Sequence, residues 1–503
     1  MTQPRVLPED DANQRLVDAV HPADWQNPEP SESYNLVVLG GGTAGLVCAV
    51  GAAGLGAKVA LVERHLLGGD CLNFGCVPSK ALLAAAHGAH SARNPFAVSD
   101  TSPKPDFASA MAWVRDRRAR IAPHDGAARI AGEGVDVFLG EGRFTAADVI
   151  SVGSVELRFK KAVIATGGRA GLPPISGLEG VPYLTNETVF ELTEAPRHLL
   201  VIGAGPIGCE LAQAMRRLGC EVTLLDRDTR VLPKDDERAA EILREVLEQE
   251  GVRVALNVDI ERAEETSAGV RLSLRSRDAK DAPAETLEGS HLLIAAGRVP
   301  NVEDLGLELA GIAFDPRRGV EVDDRLRTTN SSVFAAGDVA GGFQFTHAAD
   351  AMARNVLRNA FFFGRAKTSS LVVPWATYTD PEVAHVGVTR HDAEAEGLES
   401  IEVELGSLDR AILEGVERGF ARAYYDSKGR ILGASIVAPR AGDLIGELTL
   451  AITHGMTLSQ LASVIHPYPS QGEISKKLGD AYMRTRLTPR VKRLFERWFR
   501  FLR

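Results

Sequence analysis

Twice in this chain an apolar run gives way to a glycine-rich turn, a small-residue helix and a second apolar run closed by an acid. The first passage runs from Tyr34 to Leu39, through Gly40-Gly41-Gly42-Thr43-Ala44-Gly45 and an Ala/Gly-rich stretch to Gly54, then Lys58 to Val62, ending at Glu63. The second runs from His198 to Ile202, through Gly203-Ala204-Gly205-Pro206-Ile207-Gly208-Cys209-Glu210, then Glu221 to Leu225, ending at Asp226. In this setting Gly40, Gly42 and Gly45 permit a tight turn and let a pyrophosphate approach a helix N-terminus, where unpaired N–H groups favour anions. Glu63 is placed to accept hydrogen bonds from a ribose diol. Gly203, Gly205, Gly208 and Asp226 repeat the arrangement. A lone GxGxxG is weak, but strand, turn, helix, strand and terminal acid together are specific. The chain is therefore expected to be α/β, with two Rossmann-like dinucleotide-binding domains.

Between the two lies Gly68-Gly69-Asp70-Cys71-Leu72-Asn73-Phe74-Gly75-Cys76-Val77-Pro78-Ser79-Lys80. Pro78 fits a first helical position and the apolar run Ala81 to Ala86 follows, so a helix is expected to start near Pro78. Cys76 then sits at a helix N-terminus, where the dipole favours a thiolate. Lys80 brings a cation one turn later. A low-pKa thiol, a partner thiol and a cation are the parts of a redox-active disulfide. A structural disulfide or a zinc half-site are the plainer readings, although no second Cys/His pair with ligand spacing is present. Two dinucleotides with a dithiol between them point to FAD and a nicotinamide, NADH or NADPH.

Composition narrows the setting. The 503 residues are 45% hydrophobic and 25% charged, ordinary for a globular chain of about three domains. A net charge of −10 argues against nucleic acid as a partner. Five cysteines, three of them scattered, do not make a secreted disulfide framework. Cys48, Cys209 and Cys220 are expected to be small buried residues. No apolar run reaches transmembrane length, and the acidic, Pro-containing start is not a secretory signal. A cytoplasmic protein is expected.

These motifs, in this order, resemble the class I pyridine nucleotide–disulfide oxidoreductases, which include dihydrolipoyl dehydrogenase, glutathione reductase and mercuric reductase. The resemblance runs from about Tyr34 to about Met483. It implies that FAD occupies the first fold and the nicotinamide the second, with Gly297 in the nicotinamide-domain exit Gly297-Arg298-Val299-Pro300-Asn301. It implies flavin contacts from Lys80, Gly142, Thr166 and Gly167, from Asp338 on the ribityl chain, and from Thr346, His347 and Ala348 against the ring. It implies a relay: a nicotinamide hydride reduces the flavin, the flavin reduces a Cys71–Cys76 disulfide at Cys76, and Cys71 exchanges with the acceptor. Lys80 and Glu210 match an ion pair beside the flavin. Pro374 to Gly387 resembles the start of a C-terminal α+β dimerisation domain, so a homodimer is implied, with Tyr468 to Glu473 completing the partner's site. The expected layout is an N-terminal polar extension 1–33, FAD-binding parts 34–185 and 306–370, a nicotinamide domain 186–305, a dimerisation domain 371–485 and a tail helix 486–503.

Cofactor choice is legible at Asp226, which suits a free 2′-OH and repels a 2′-phosphate, and at Gly208, where NADPH users of the family often have Ala. Both favour NADH. Arg227 and Arg230 are the residues that would instead receive a phosphate.

The sequence departs from its relatives at Ile465-His466-Pro467-Tyr468-Pro469-Ser470-Gln471-Gly472-Glu473. Thiol-substrate members carry a His-Pro followed by Glu, and that His moves protons for the dithiol. Counting back five from Glu473 gives Tyr468, and a phenol is protonated at pH 7 and a poor base. His466 lies two residues early. Tyr at this position resembles mercuric reductases, whose acceptor is a thiolate-bound soft metal ion. No structural metal site is expected, only a transient soft cation on Cys71 and Cys76. Mercuric reductases also carry a C-terminal Cys pair, and no Cys follows Cys220 here, so the reducing pair is present and the delivery pair absent. The expected acceptor is therefore a metal ion or another small molecule without a thiol. Two other readings stay open: a dihydrolipoyl dehydrogenase-type disulfide reductase using His466 as base, and a membrane-surface flavoprotein reducing a quinone.

At the end, Thr488-Pro489 reads as an N-cap followed by proline at the first helical position. Val491, Leu494, Phe495, Trp498 and Leu502 then share a helical face, with Arg490, Lys492, Arg493, Arg497, Arg500 and Arg503 supplying charge. Such a helix reads as a peripheral membrane or partner contact. The plainer alternative is a helix docked on its own dimer.

Overall fold

The computed structural model describes residues 4–92, 105–278 and 284–503. The chain divides into two compact units. One comprises Met1–Gly203, Ala214–Arg227 and Val258–Leu371, the other Ala204–Gln213, Asp228–Asn257 and Val372–Arg503.

The first unit is built on parallel strands. Tyr34–Leu39 lies between Val59–Glu63 and Val155–Ile164, with Val38 opposite both Leu61 and Val163. Val135–Leu139 and Val333–Ala335 extend the sheet on its two sides, both parallel to their neighbours. These strands are nearly continuous apolar runs because helices or chain cover both faces. The apolar run Lys161 to Ile164, which reads from the sequence as a strand of its own, is the end of Val155–Ile164. Its first half pairs antiparallel with Val149–Val152. The pair closes through Gly153 and Ser154, with Gly153 at φ 58°, as a two-residue hairpin demands.

The second dinucleotide fold has the same parallel logic. His198–Ile202 lies between Glu221–Leu225 and His291–Ile294. The strands Val258–Thr266, Gly269–Ser276 and Glu285–Gly289 form an antiparallel sheet that the sequence reading passed over. Pro103 to Arg129 reads from the sequence as a polar helical stretch, and residues 103 and 104 at its start lie outside the described residues. Beyond them the segment forms Phe107–Ile121, a short 3-10 turn and Ala127–Gly132.

The N-terminal segment reads from its sequence as a polar extension with room for a short helix around Asn13 to Val20; from residue 4 on it is packed, and the helix spans Asp11–Val20. Asp10 caps Asp11–Val20 by accepting from the Asn13 N–H at 2.8 Å. Leu16, Val17 and Val20 join the buried core around Leu36 and Leu61. An apolar i, i+1, i+4 face inside a polar stretch buries as well as any other.

The second unit holds a five-stranded antiparallel sheet in the order Trp375–Thr377, Glu382–Gly387, Ile431–Ala438, Phe420–Tyr425, Glu399–Glu404. Ala441–Thr453 and Glu473–Thr485 bury Ile445, Leu448, Ile474 and Leu478 against it. Arg422 pairs with buried Asp236 and with Glu402, and the Tyr424 hydroxyl donates to Asp236 at 3.2 Å.

Candidate active site

The cradle for a dinucleotide is defined by where side chains cannot go. Gly40 has φ +108°, and a Cβ there would lie 2.3 Å from the Ala165 carbonyl oxygen. A Cβ on Gly45 would lie 1.8 Å from the Gly40 oxygen. Gly42 caps the helix Thr43–Gly54, whose N-terminus takes no side-chain capping hydrogen bond among the described residues. Glu63 is buried and takes the Gly41 N–H at 2.6 Å and the His65 N–H at 2.7 Å. Burial raises its pKa, and the two backbone donors oppose that shift. Glu63 thus holds the glycine turn in shape at the sheet edge where a ribose would sit. These residues fit FAD.

Gly142 has a packing reason of its own. A Cβ there would lie 2.5 Å from Leu39 Cδ1 and 2.8 Å from Val62 Cγ1. Thr166 is also engaged within the protein: its hydroxyl donates to the Asn301 carbonyl at 2.7 Å, and Asn301 Nδ2 donates to the Thr166 carbonyl at 2.9 Å. Gly167, at φ +68°, accepts from the Asn301 N–H at 2.9 Å. The two exit motifs are stitched together, Gly168–Ala170 pairing antiparallel with Arg298–Pro300.

Cys71 lies in the short helix Gly69–Asn73, and Cys76 is the first residue of Cys76–Ser91. The second helix therefore begins two residues before the expected Pro78. Its first turn is closed by the Ser79 N–H on the Gly75 carbonyl at 3.0 Å, and Pro78 sits where no helical N–H is needed. Thr346 opens the helix Thr346–Phe361, and its hydroxyl is 3.6 Å from Cys76 Sγ. Two helix N-termini thus converge on Cys76, the arrangement that stabilises a thiolate. Neither cysteine is in a disulfide. The Cys71 pKa is pushed far up, first by its hydrogen bond to Cys76 and then by burial. The two thiols therefore ionise as one coupled pair, with the first proton lost more readily than the second. Lys80 lies one turn along the same helix, and His347 stacks on Phe345 at 5.4 Å between ring centroids, next to buried Ala348.

A charged network reaches the dithiol that sequence reasoning missed. Arg298 Nη2 lies 3.1 Å from Asp70 Oδ2, and its Nε donates to Asp338 Oδ2 at 3.0 Å. Asn186 Nδ2 donates to the other Asp70 oxygen at 2.9 Å. The residue before Cys71 is thereby tied to the residue expected on the ribityl chain. Burial raises the Asp70 pKa and Arg298 opposes the shift. Behind the turn, buried Arg118 donates to the Asn73 carbonyl at 2.7 Å and to Asn13 Oδ1 at 2.5 Å. The N-terminal helix thus braces the dithiol segment. Beside Arg298 an open cleft of about 390 Å³ is lined by Arg169, Leu172, Tyr183, Thr185, Glu187 and Val299.

In the second fingerprint Gly203 has φ +109°, and a Cβ there would lie 2.4 Å from the Ala295 carbonyl oxygen, repeating the Gly40 constraint. Gly205 has open space around it, Gly208 is buried in the first turn of Pro206–Arg217, and Gly297 takes φ +124°. Asp226 follows the strand Glu221–Leu225, partly buried, and Arg227 is exposed beside it. Arg230 is engaged by Glu237 at 3.0 Å and by the Pro233 carbonyl at 2.8 Å. Glu210 is buried and accepts the Tyr378 N–H at 2.9 Å.

In the second unit Tyr468 is exposed, and its hydroxyl donates to Asp409 Oδ2 at 2.7 Å. That hydrogen bond to a carboxylate raises the phenol pKa. His466 Nε2 lies 3.1 Å from both oxygens of Glu447, with 10% of its side chain exposed. Glu473 takes the Ser470 N–H at 3.3 Å. Cys48, Cys209 and Cys220 are buried as expected, and burial pushes the Cys48 thiol up to about 12 and Cys220 to about 11.

The twin dinucleotide folds, the dithiol on a helix N-terminus and the separate antiparallel domain define a flavin- and nicotinamide-dependent dithiol oxidoreductase. A family model described as pyridine nucleotide-disulphide oxidoreductase matches residues 34–353, and that family's dimerisation domain matches 373–478. The chain belongs to this family, which is FAD-dependent and uses NADH or NADPH. It is 34% identical to a mercuric reductase from Bacillus cereus over 452 residues, 89% of this chain and 71% of the relative. It is 32% identical to a dihydrolipoyl dehydrogenase from Geobacillus stearothermophilus over 461 residues, 89% of this chain and 96% of the relative. The Cu(II) complex of the HOCl-induced flavoprotein disulfide reductase RclA from Escherichia coli superposes with a TM-score of 0.79 at 28% identity, covering 90% of this chain and 99% of that one.

Proposed function

We propose that the protein passes electrons from NADH, by way of FAD and the Cys71–Cys76 pair, to a soft metal ion or another acceptor that carries no thiol. The observation that supports this is the state of the two groups that would serve a thiol acceptor as base. Tyr468, at the counted base position, donates its hydroxyl hydrogen bond to Asp409 and is no base, and His466 stands two residues away with Nε2 on Glu447. A soft cation needs thiolates and no base. Mercuric reductases stand among the relatives, and a Cu(II) complex is described for one structural neighbour.

FAD, when bound, supplies a two-electron store between nicotinamide and disulfide. The chain's own residues do the rest. The Gly40–Gly45 turn and Glu63 would hold the adenosine half of FAD, and Asp338 the ribityl half. Reduction by two electrons breaks the Cys71–Cys76 bond and takes up one proton, leaving one thiol and one thiolate in the pair. Two electrons then pass to one bound divalent ion, or to two ions singly. The disulfide re-forms and the remaining thiol proton is released. Lys80, one turn beyond Cys76, would supply a cation to bound FAD, and in a family dimer Tyr468 to Glu473 of one copy would complete the other copy's site. Asp226 and the engagement of Arg230 by Glu237 favour NADH over NADPH.

Anaerobic titration with NADH and then NADPH, followed by Hg(II), Cu(II) or oxidised lipoamide, tests the reading. A long-wavelength thiolate–flavin band is expected at two-electron reduction with NADH, discharged by a metal ion and left standing by lipoamide. Rapid discharge by lipoamide would overturn the assignment of the acceptor. Tyr468→His is expected to raise dihydrolipoamide turnover at least about tenfold, a fraction of the 10²–10⁴ that a placed base contributes. Steady-state kinetics with lipoamide showing no gain would count against the missing-base argument.

A further inference from the structure

The helix Pro489–Leu502 has no buried residue. Thr488 caps it by accepting from the Val491 N–H at 3.3 Å, so the helix is locally well made. It spans about 21 Å at 1.5 Å per residue. At 100° per residue, Val491, Leu494, Phe495, Trp498, Phe499, Phe501 and Leu502 fill one continuous arc of about 160°. Leu494 is 66% exposed and Phe501 80%, so this arc is uncovered. Phe495 stacks on Phe499 and Trp498 on Phe501, making one aromatic surface. The opposite arc carries Arg490, Lys492, Arg493, Arg497, Arg500 and Arg503 against the single acid Glu496. Among the described residues, no side chain of this helix pairs with another element.

We propose that this helix docks in the plane of an anionic lipid surface, its aromatic arc among the acyl chains and its cations against the headgroups. Charge decides between the occupants. A second copy of the helix would bury the apolar arc but set two all-basic flanks side by side, where paired helices use opposite charges. Docking the basic arc on the otherwise acidic protein would leave the aromatic arc in water. A lipid surface takes both arcs at once. The matched dimerisation domain ends at residue 478, before this helix begins. The helix places the reductase at a membrane face without crossing it, and no helix among the described residues is long and apolar enough to span one.

Co-sedimentation of the full-length protein with vesicles of equimolar phosphatidylcholine and phosphatidylglycerol, and with phosphatidylcholine alone, tests this. Binding to the anionic vesicles is expected, weakened by high salt. Phe495→Glu with Trp498→Glu, and separately a chain ending at residue 487, are expected to lower binding at least about tenfold, as loss of the buried apolar arc requires. NADH-dependent dye reduction should be unchanged in both, which shows that they fold. Equal partition of the wild-type and variant chains would overturn the proposal. So would a truncated chain that loses dimers in sedimentation velocity while the full chain ignores vesicles, since the helix would then join two copies.

Discussion

Gly45→Ala is expected to yield a chain that retains little flavin. The new Cβ would lie 1.8 Å from the Gly40 oxygen and 3.3 Å from Val38 Cγ1. The first obstacle is backbone, and Gly40 has no room to retreat because the Ala165 carbonyl already fills its own Cβ position at 2.3 Å. Overpacking costs about 1–3 kcal/mol even where side chains can shift, and here nothing flexible is in the way, so the upper end applies. At 1.4 kcal/mol per factor of ten, flavin affinity should fall about a hundredfold. The ratio of flavin to protein absorbance after gel filtration reads this directly. Gly54→Ala on the same helix is the control, since a Cβ there meets nothing within 4 Å. Full flavin content in Gly45→Ala would show that the helix N-terminus does not form the cradle.

What the sequence made legible follows from how local each signal is. The two fingerprints and the dithiol stretch are short runs whose glycines, prolines and acids are fixed by backbone geometry, so they are readable without a fold. The tail helix was readable because cap, proline and period all lie within fifteen or so residues. Asp70, Arg298 and Asp338 were not readable as a network, since only tertiary folding brings one guanidinium between two carboxylates from distant parts of the chain. His466 shows the same limit. Its distance from the expected base position was countable, but its capture by Glu447 is made by packing. Thr166 and Gly142 mark a different one: their motifs suggested flavin, and the structure gives each a second, internal reason in Asn301 or in Leu39 and Val62. In the N-terminal segment the prolines and charges were legible, and the burial of Val6, Leu16, Val17 and Val20 is made by packing.

Arg298→Met is the other substitution expected to have a large effect, and its pH dependence separates charge from packing. The side chain of Arg298 is 13% exposed, between Asp70 at 33% and Asp338 at 18%. Breaking a buried pair costs about 3–5 kcal/mol because a charge is left uncompensated, and the partial exposure of Asp70 places this case near 3. Met keeps most of the volume, so the loss is chiefly electrostatic. The carboxyl of Asp70 already has a pKa raised by burial, and without Arg298 it rises further. A carboxylate whose folded pKa lies above its unfolded value contributes most below the unfolded pKa and loses that contribution as pH rises through the folded pKa. The deficit of Arg298→Met should therefore be largest near pH 8 and shrink toward pH 5. Asp70→Asn in the same background should restore part of the stability, and alone it should speed alkylation of Cys71, whose thiol Asp70 helps keep protonated. Urea unfolding across that pH range, read on the variant and the double variant, gives the coupling. A deficit independent of pH and unrelieved by Asp70→Asn would mean that Arg298 acts through packing, and that the charge beside Cys71 does not shape the dithiol.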